Sequence, residues 1–167
     1  TTGDIAVVTI TAGSANDVTL TAAGAITEDG LAGTVLTADE LAARAGGAIT
    51  LDTTIATADL ASTAAGAIDI DETDAIDLAR VVTSDGGITV DAGGTLTATV
   101  VDSSATDDDT NDVTLTTTAG DIAVVTITAG SANDVTLTAA GAITEDGLAG
   151  TVLTADQLTA TAGGAIT

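Results

Sequence analysis

The chain has 167 residues, with 25 Asp and Glu against two basic residues, Arg44 and Arg80, for a net charge of −23. That balance excludes nucleic acid, whose phosphates need a basic footprint, and an anionic bilayer surface; no apolar run approaches the roughly 18 residues of a membrane span, so no membrane insertion is expected. There is no Phe, Tyr, Trp, Met, Cys, Pro or His, and aliphatic and small residues supply the 45% hydrophobic fraction, which suits a thin, quasi-one-dimensional core better than a wide globular one.

Taken in chain order, one phrase keeps returning: a glycine followed within two residues by isoleucine. It occurs at Gly3-Asp4-Ile5, Gly24-Ala25-Ile26, Gly47-Ala48-Ile49, Gly66-Ala67-Ile68, Gly86-Gly87-Ile88, Gly120-Asp121-Ile122, Gly141-Ala142-Ile143 and Gly164-Ala165-Ile166. A period near 20 residues is that of one solenoid coil. Stacked coils would bring Ile5, Ile26, Ile49, Ile68, Ile88, Ile122, Ile143 and Ile166 into one inward ladder, each side chain packing on its copies about 4.8 Å away. The leading glycine would serve a corner, because it tolerates positive φ. Thr9-Ile10-Thr11, Thr19-Leu20-Thr21, Thr95-Leu96-Thr97, Thr126-Ile127-Thr128 and Thr136-Leu137-Thr138 read as strands with Thr outward and the aliphatic inward. Leu41, Leu60, Val81 and Leu115 mark a third strand, and three strands per coil imply a triangular or flattened section.

A longer period overlies the short one. Gly3 to Thr50 returns as Gly120 to Thr167, offset by 117 residues, with 45 of 48 positions identical. The exceptions are Glu40 opposite Gln157, Ala42 opposite Thr159 and Arg44 opposite Thr161. Their spacing of two is the side-chain period of a strand, so they lie on one outer face while Leu41, Ala43 and Ala45 hold the inner one. This favours a strand over a helical turn at Asp39 to Arg44. The long repeat holds five coils, one of them enlarged between Gly86 and Ala119 by an acidic loop at residues 102–112.

That loop carries the metal candidate. Asp107, Asp109 and Asn111 alternate like the opening of a calcium loop, and hard oxygen ligands suit calcium; Asp112, standing where glycine is needed, and Thr118, where a bidentate Glu belongs, depart from the pattern. A solvated acidic loop is the plainer alternative. Without His, Cys, Lys or Tyr, catalysis would rest on carboxylates and hydroxyls alone, and no enzyme is expected. The Thr-x-Thr triplets raise ice binding, but they occupy different places within their coils, so no single face is expected to carry two Thr columns throughout.

The Gly-x-Ile coils, the Thr, Ala and Asp-rich strands and the near-verbatim long repeat resemble large repetitive bacterial surface proteins, including filamentous-haemagglutinin-like adhesins. The resemblance implies an extracellular or cell-surface shaft, stalk or filament, with self-association or cell-surface and matrix components as partners, and it carries over no catalytic residue. The expectation is an all-β, parallel, right-handed β-solenoid of about seven coils and about 20 residues per coil, continuous over residues 1–167. It would continue in a longer chain or stack end to end, since its terminal coils expose strand edges.

Overall fold

A computed structural model describes residues 3–30, 36–147, 150 and 152–167. Among them there is no helix. The strands form two ten-stranded sheets, every pairing between strands is parallel, and successive coils add one layer to each sheet, giving a β-solenoid of about seven turns some 21 residues apart. Strand alternation sets this up. In Ile88–Ala92, Ile88, Val90 and Ala92 are buried while Thr89 and Asp91 face outward, and Val113–Thr117 alternates in the same way. A coil alone cannot bury that inner row. Stacked, it encloses a continuous core of Ile, Leu, Val and Ala, each fully buried large side chain contributing about 1.5–3 kcal/mol.

The section is flattened between two faces. Three strands occur in several coils, yet two of them then lie end to end in one sheet. In the early coils the first sheet is split, as Ile5–Val7 with Ile10–Thr11 and Ile26–Glu28 with Leu36–Thr37. In the late coils the second sheet is split, as Ile122–Val124 with Thr126–Thr128 and Ile143–Glu145 with Val152–Thr154. Glu40 to Arg44 belongs to strand Glu40–Ala45, with Leu41, Ala43 and Ala45 inward as expected, and Asp39 forms the bend that precedes it.

The isoleucines form two ladders, which corrects the single column expected from their spacing. Ile5, Ile26, Ile49, Ile68 and Ile88 stack in the first sheet, where Val113, Val135 and Leu158 continue the column. Ile122 instead stands in the second sheet, in the column Ile76, Leu96, Ile122, Ile143 and Ile166. The coil between Gly86 and Ala119 is therefore not enlarged to 34 residues. Ile88 meets Val113, 25 residues on, against 20 from Ile68 to Ile88, and Ile122 lies half a coil further.

The long repeat thus spans five and a half coils. Each duplicated strand and its twin occupy opposite sheets: Ile5–Val7 the first and Ile122–Val124 the second, Val18–Ala22 the second and Val135–Ala139 the first, Glu40–Ala45 the second and Leu158–Ala162 the first. The leading glycines also have a different reason from the one expected. Only Gly86 and Gly120 among the eight have φ in the left-handed region. Gly66 is needed for close approach, because a Cβ there would run into the Gly47–Ala48 backbone of the preceding coil.

Candidate functional site

With the core closed, what the molecule can present is its outer columns and its corners. On the first sheet two outward columns run side by side. One reads Thr27, Thr50, Asp69, Thr89, Thr114, Thr136 and Thr159. The other reads Asp52, Asp71, Asp91, Thr116, Thr138 and Thr161. The triplets Thr114-Leu115-Thr116, Thr136-Leu137-Thr138 and Thr159-Ala160-Thr161 share one face over three successive coils, while those at Thr19–Thr21, Thr95–Thr97 and Thr126–Thr128 lie on the second sheet, so, as expected, no face carries two Thr columns throughout. The grid has about 4.8 Å between strands and about 6.8 Å between outward neighbours on a strand. Thr161 belongs to this grid because the twin of Arg44 has crossed to the other face.

In the middle coils the same face turns acidic. Asp52, Asp71 and Asp91 stand one above another, with Asp69 beside them. Partial burial and then the charges of Asp91 and Asp52 raise the Asp69 pKa; partial burial and then Asp52, Asp69, Asp91 and Glu28 raise that of Asp71. Behind them Glu72 points into the core, 4% exposed. Its Oε2 accepts from the Thr53 hydroxyl at 2.7 Å and the Ile55 N–H at 3.0 Å, and its Oε1 from the Asp74 N–H at 3.2 Å. Burial outweighs those donors and pushes its pKa up.

On the second sheet both arginines of the chain meet one carboxylate. Arg44 makes two parallel bonds of 3.0 Å to Asp59 on the next coil, and Arg80 approaches from the other side at 3.5 Å. The guanidinium of Arg44 holds the Asp59 pKa below the usual carboxylate value. Position 44 is therefore an inter-coil clamp rather than a freely variable outer site.

The corner aspartates tie coil to coil. Asp4 Oδ1 accepts from Ala25 N–H at 2.8 Å, Asp121 from Ala142 at 2.7 Å, Asp112 from Asp134 at 2.8 Å and Asp134 from Gln157 at 3.2 Å. Each takes an N–H of the following coil, a role the reading of acidic residues as solubilising charge misses. The signal was present, since Asp precedes Ile or Val at Ile5, Ile122, Val113 and Val135.

The calcium candidates have three separate surroundings. Asp107 reaches the following coil, where Oδ1 accepts from Ser131 N–H and Ala132 N–H at 2.9 Å each and Oδ2 from the Ser131 hydroxyl at 2.6 Å. Those donors lower its pKa. Asp109 is exposed. Asn111 is fully buried, donating from Nδ2 to Thr106 O at 2.6 Å and from its N–H to Asn133 Oδ1 at 3.0 Å. Among the described residues no group of three or more carboxylates is placed to hold a metal ion. Compared with known protein families, curated proteins and solved structures, the chain finds no match.

Proposed function

We propose that the chain is a length of rigid, anionic shaft in an extracellular filament, sheath or giant repetitive surface adhesin. One observation carries this reading: a nearly verbatim 48-residue segment is reused in an unbroken stack, and its residues are spent on joining coils. Asp4, its twin Asp121 and Asp134 bond the coil above, Asp112 does the same between the two copies, and the inner columns are aliphatic; Arg44, replaced by Thr161 in the second copy, adds a clamp on Asp59. Outward carboxylates keep such a rod apart from its neighbours by charge. The test is electron microscopy of the native material. A thin fibre with an axial repeat of about 26 Å, five and a half coils at the strand spacing, is expected; globular particles on the cell surface would refute it.

A second reading is favoured by the threonine grid. Two columns of three threonines, Thr114, Thr136 and Thr159 beside Thr116, Thr138 and Thr161, form a flat, regularly spaced hydroxyl face of the kind that ice-binding solenoids present. Thermal hysteresis at micromolar protein that disappears in Thr116→Lys with Thr138→Lys would support it. Hysteresis unchanged in that variant, or absent from the parent chain, would remove it.

A further inference from the structure

At one corner of the stack the turns change length. Residues 12–17 join Ile10–Thr11 to Val18–Ala22, whereas the next turns at that corner are Ala38–Asp39, Ile55–Ala56 and Thr73–Ala75. The long loop is pinned beneath the short turns, with Ala12 N–H donating to Thr37 O at 2.9 Å and Asp39 N–H to Asn16 O at 2.8 Å. Ser14 thereby forms the lower lip of a recess of about 330 Å³. Strands stack on either side of the coils that carry it, Ile10–Thr11 against Leu36–Thr37 and Ile88–Ala92 against Ile68–Glu72, so the recess is a feature of the corner.

Its lining combines two chemistries. Ala38 and Ile55 are buried and form an aliphatic floor, flanked by Ala56 and Ala75, while Asp39 and Asp74 are exposed at its edge. Ala56 N–H donates to Asp39 O and Asp77 N–H to Ala56 O, which sets the two acidic turns two coils apart, about 10 Å along the axis. From behind, the buried carboxylate of Glu72 accepts from the Ile55 N–H of the floor at 3.0 Å and from the Asp74 N–H of the edge at 3.2 Å. It fixes both in place and adds negative charge to the recess. The chain supplies no cation to answer it: there is no Lys or His, and both arginines meet Asp59 on the second sheet.

We propose that this recess binds a short aliphatic diamine, with its methylenes on the Ala and Ile floor and its ammonium groups at Asp39 and Asp74. An apolar recess with a few convergent polar groups is the usual form of a small-molecule site. Charge selects the ligand further. A bare metal ion would meet the carboxylates and leave the floor in water, and a neutral alkyl chain would cover the floor and gain nothing from the carboxylates. Only a chain with cationic ends uses both, and the net charge of −23 raises the local concentration of such cations. The site goes beyond the shaft reading and does not depend on it.

Titration calorimetry of the 167-residue chain with cadaverine, in about 0.15 M salt to screen diffuse attraction, tests the site. One saturable site per chain is expected, with magnesium, of equal charge, binding about tenfold or more weakly. Asp74→Asn, and Ala56→Leu, which fills the recess from an exposed position, each weaken cadaverine about tenfold while leaving the circular-dichroism spectrum unchanged. Asp91→Asn on the outer face of the first sheet leaves the affinity intact. The proposal is overturned by an absence of saturable binding at millimolar cadaverine, by unchanged affinity in both recess variants, or by magnesium binding as tightly as the diamine. Equal losses in Asp91→Asn and Asp74→Asn would likewise overturn it, since they would reduce the effect to general counter-ion attraction. None of these results bears on the shaft reading, which the native fibres decide.

Discussion

At the scale of single residues, glycine shows how stacking constrains a solenoid more tightly than turning does. Gly66 has no need of left-handed backbone, yet its Cα lies so close to the Gly47–Ala48 peptide of the coil below that a methyl group has nowhere to go. Gly66→Ala should cost about 1–3 kcal/mol, since backbone rather than a flexible side chain must move. Urea denaturation is the check, and a variant as stable as its parent would mean the layers can separate there at little cost. The same residue marks what the amino-acid order makes legible. That Gly66 opens a corner is plain from its phrase; why it must be glycine depends on a residue 19 positions away in the layer beneath.

At the scale of the strand, outward columns set the pH dependence. Asp69, Asp71 and Glu72 have folded-state pKa values above their ordinary ones, so the folded chain holds those protons more tightly than the unfolded one. Their destabilisation is therefore greatest at neutral pH and is relieved as pH falls through the raised values. Asp59 and Asp107 are depressed, and their contribution is lost only as pH falls below the ordinary carboxylate range, about pH 4. The melting temperature is expected to rise from pH 7.5 toward mildly acidic pH and then drop in stronger acid. Asp71→Asn should raise it by a few degrees at pH 7.5 and flatten the first limb; a parent profile that only falls on acidification would contradict this. The strands were legible from Thr and aliphatic alternation around Ile10, Leu20, Leu96, Ile127 and Leu137. Their columns were not, because register is decided between coils. The order Asp52, Asp71, Asp91, Thr116 emerges only when the layers are laid on one another.

At the scale of the whole molecule, the half-coil phase is the main departure from the pattern of isoleucines. The spacing of 34 from Ile88 to Ile122 looked like one long coil because both sheets begin their strands with the same kind of phrase. The missing rungs were spelled Val113, Val135 and Leu158, preceded by Asn-Asp or Asp-Gln rather than by Gly-Ala. Asn16-Asp17-Val18, Asn111-Asp112-Val113 and Asn133-Asp134-Val135 were the available signal. The arrangement places Thr19 and Thr21 on one side and their twins Thr136 and Thr138 on the other. The sequence Asp-Val-Thr-Leu-Thr stands also at residues 112–116, in the coil adjoining Asp134–Thr138 on the same sheet. A single-domain antibody against it should therefore find room for one copy on that shared face and one on the opposite face at residues 17–21, two to a molecule as read by mass photometry. One per molecule would indicate that the twins crowd a common face.

The alternation also bears on how a long assembly would lie in space. The split strands that interrupt the first sheet near residues 5–11 and 26–37 interrupt the second near 122–128 and 143–154. Whatever curvature such an interruption imposes toward one side is met five and a half coils later by the same curvature toward the other. Successive bends cancel, and a fibre made of these units runs straight without any single coil having to be straight itself.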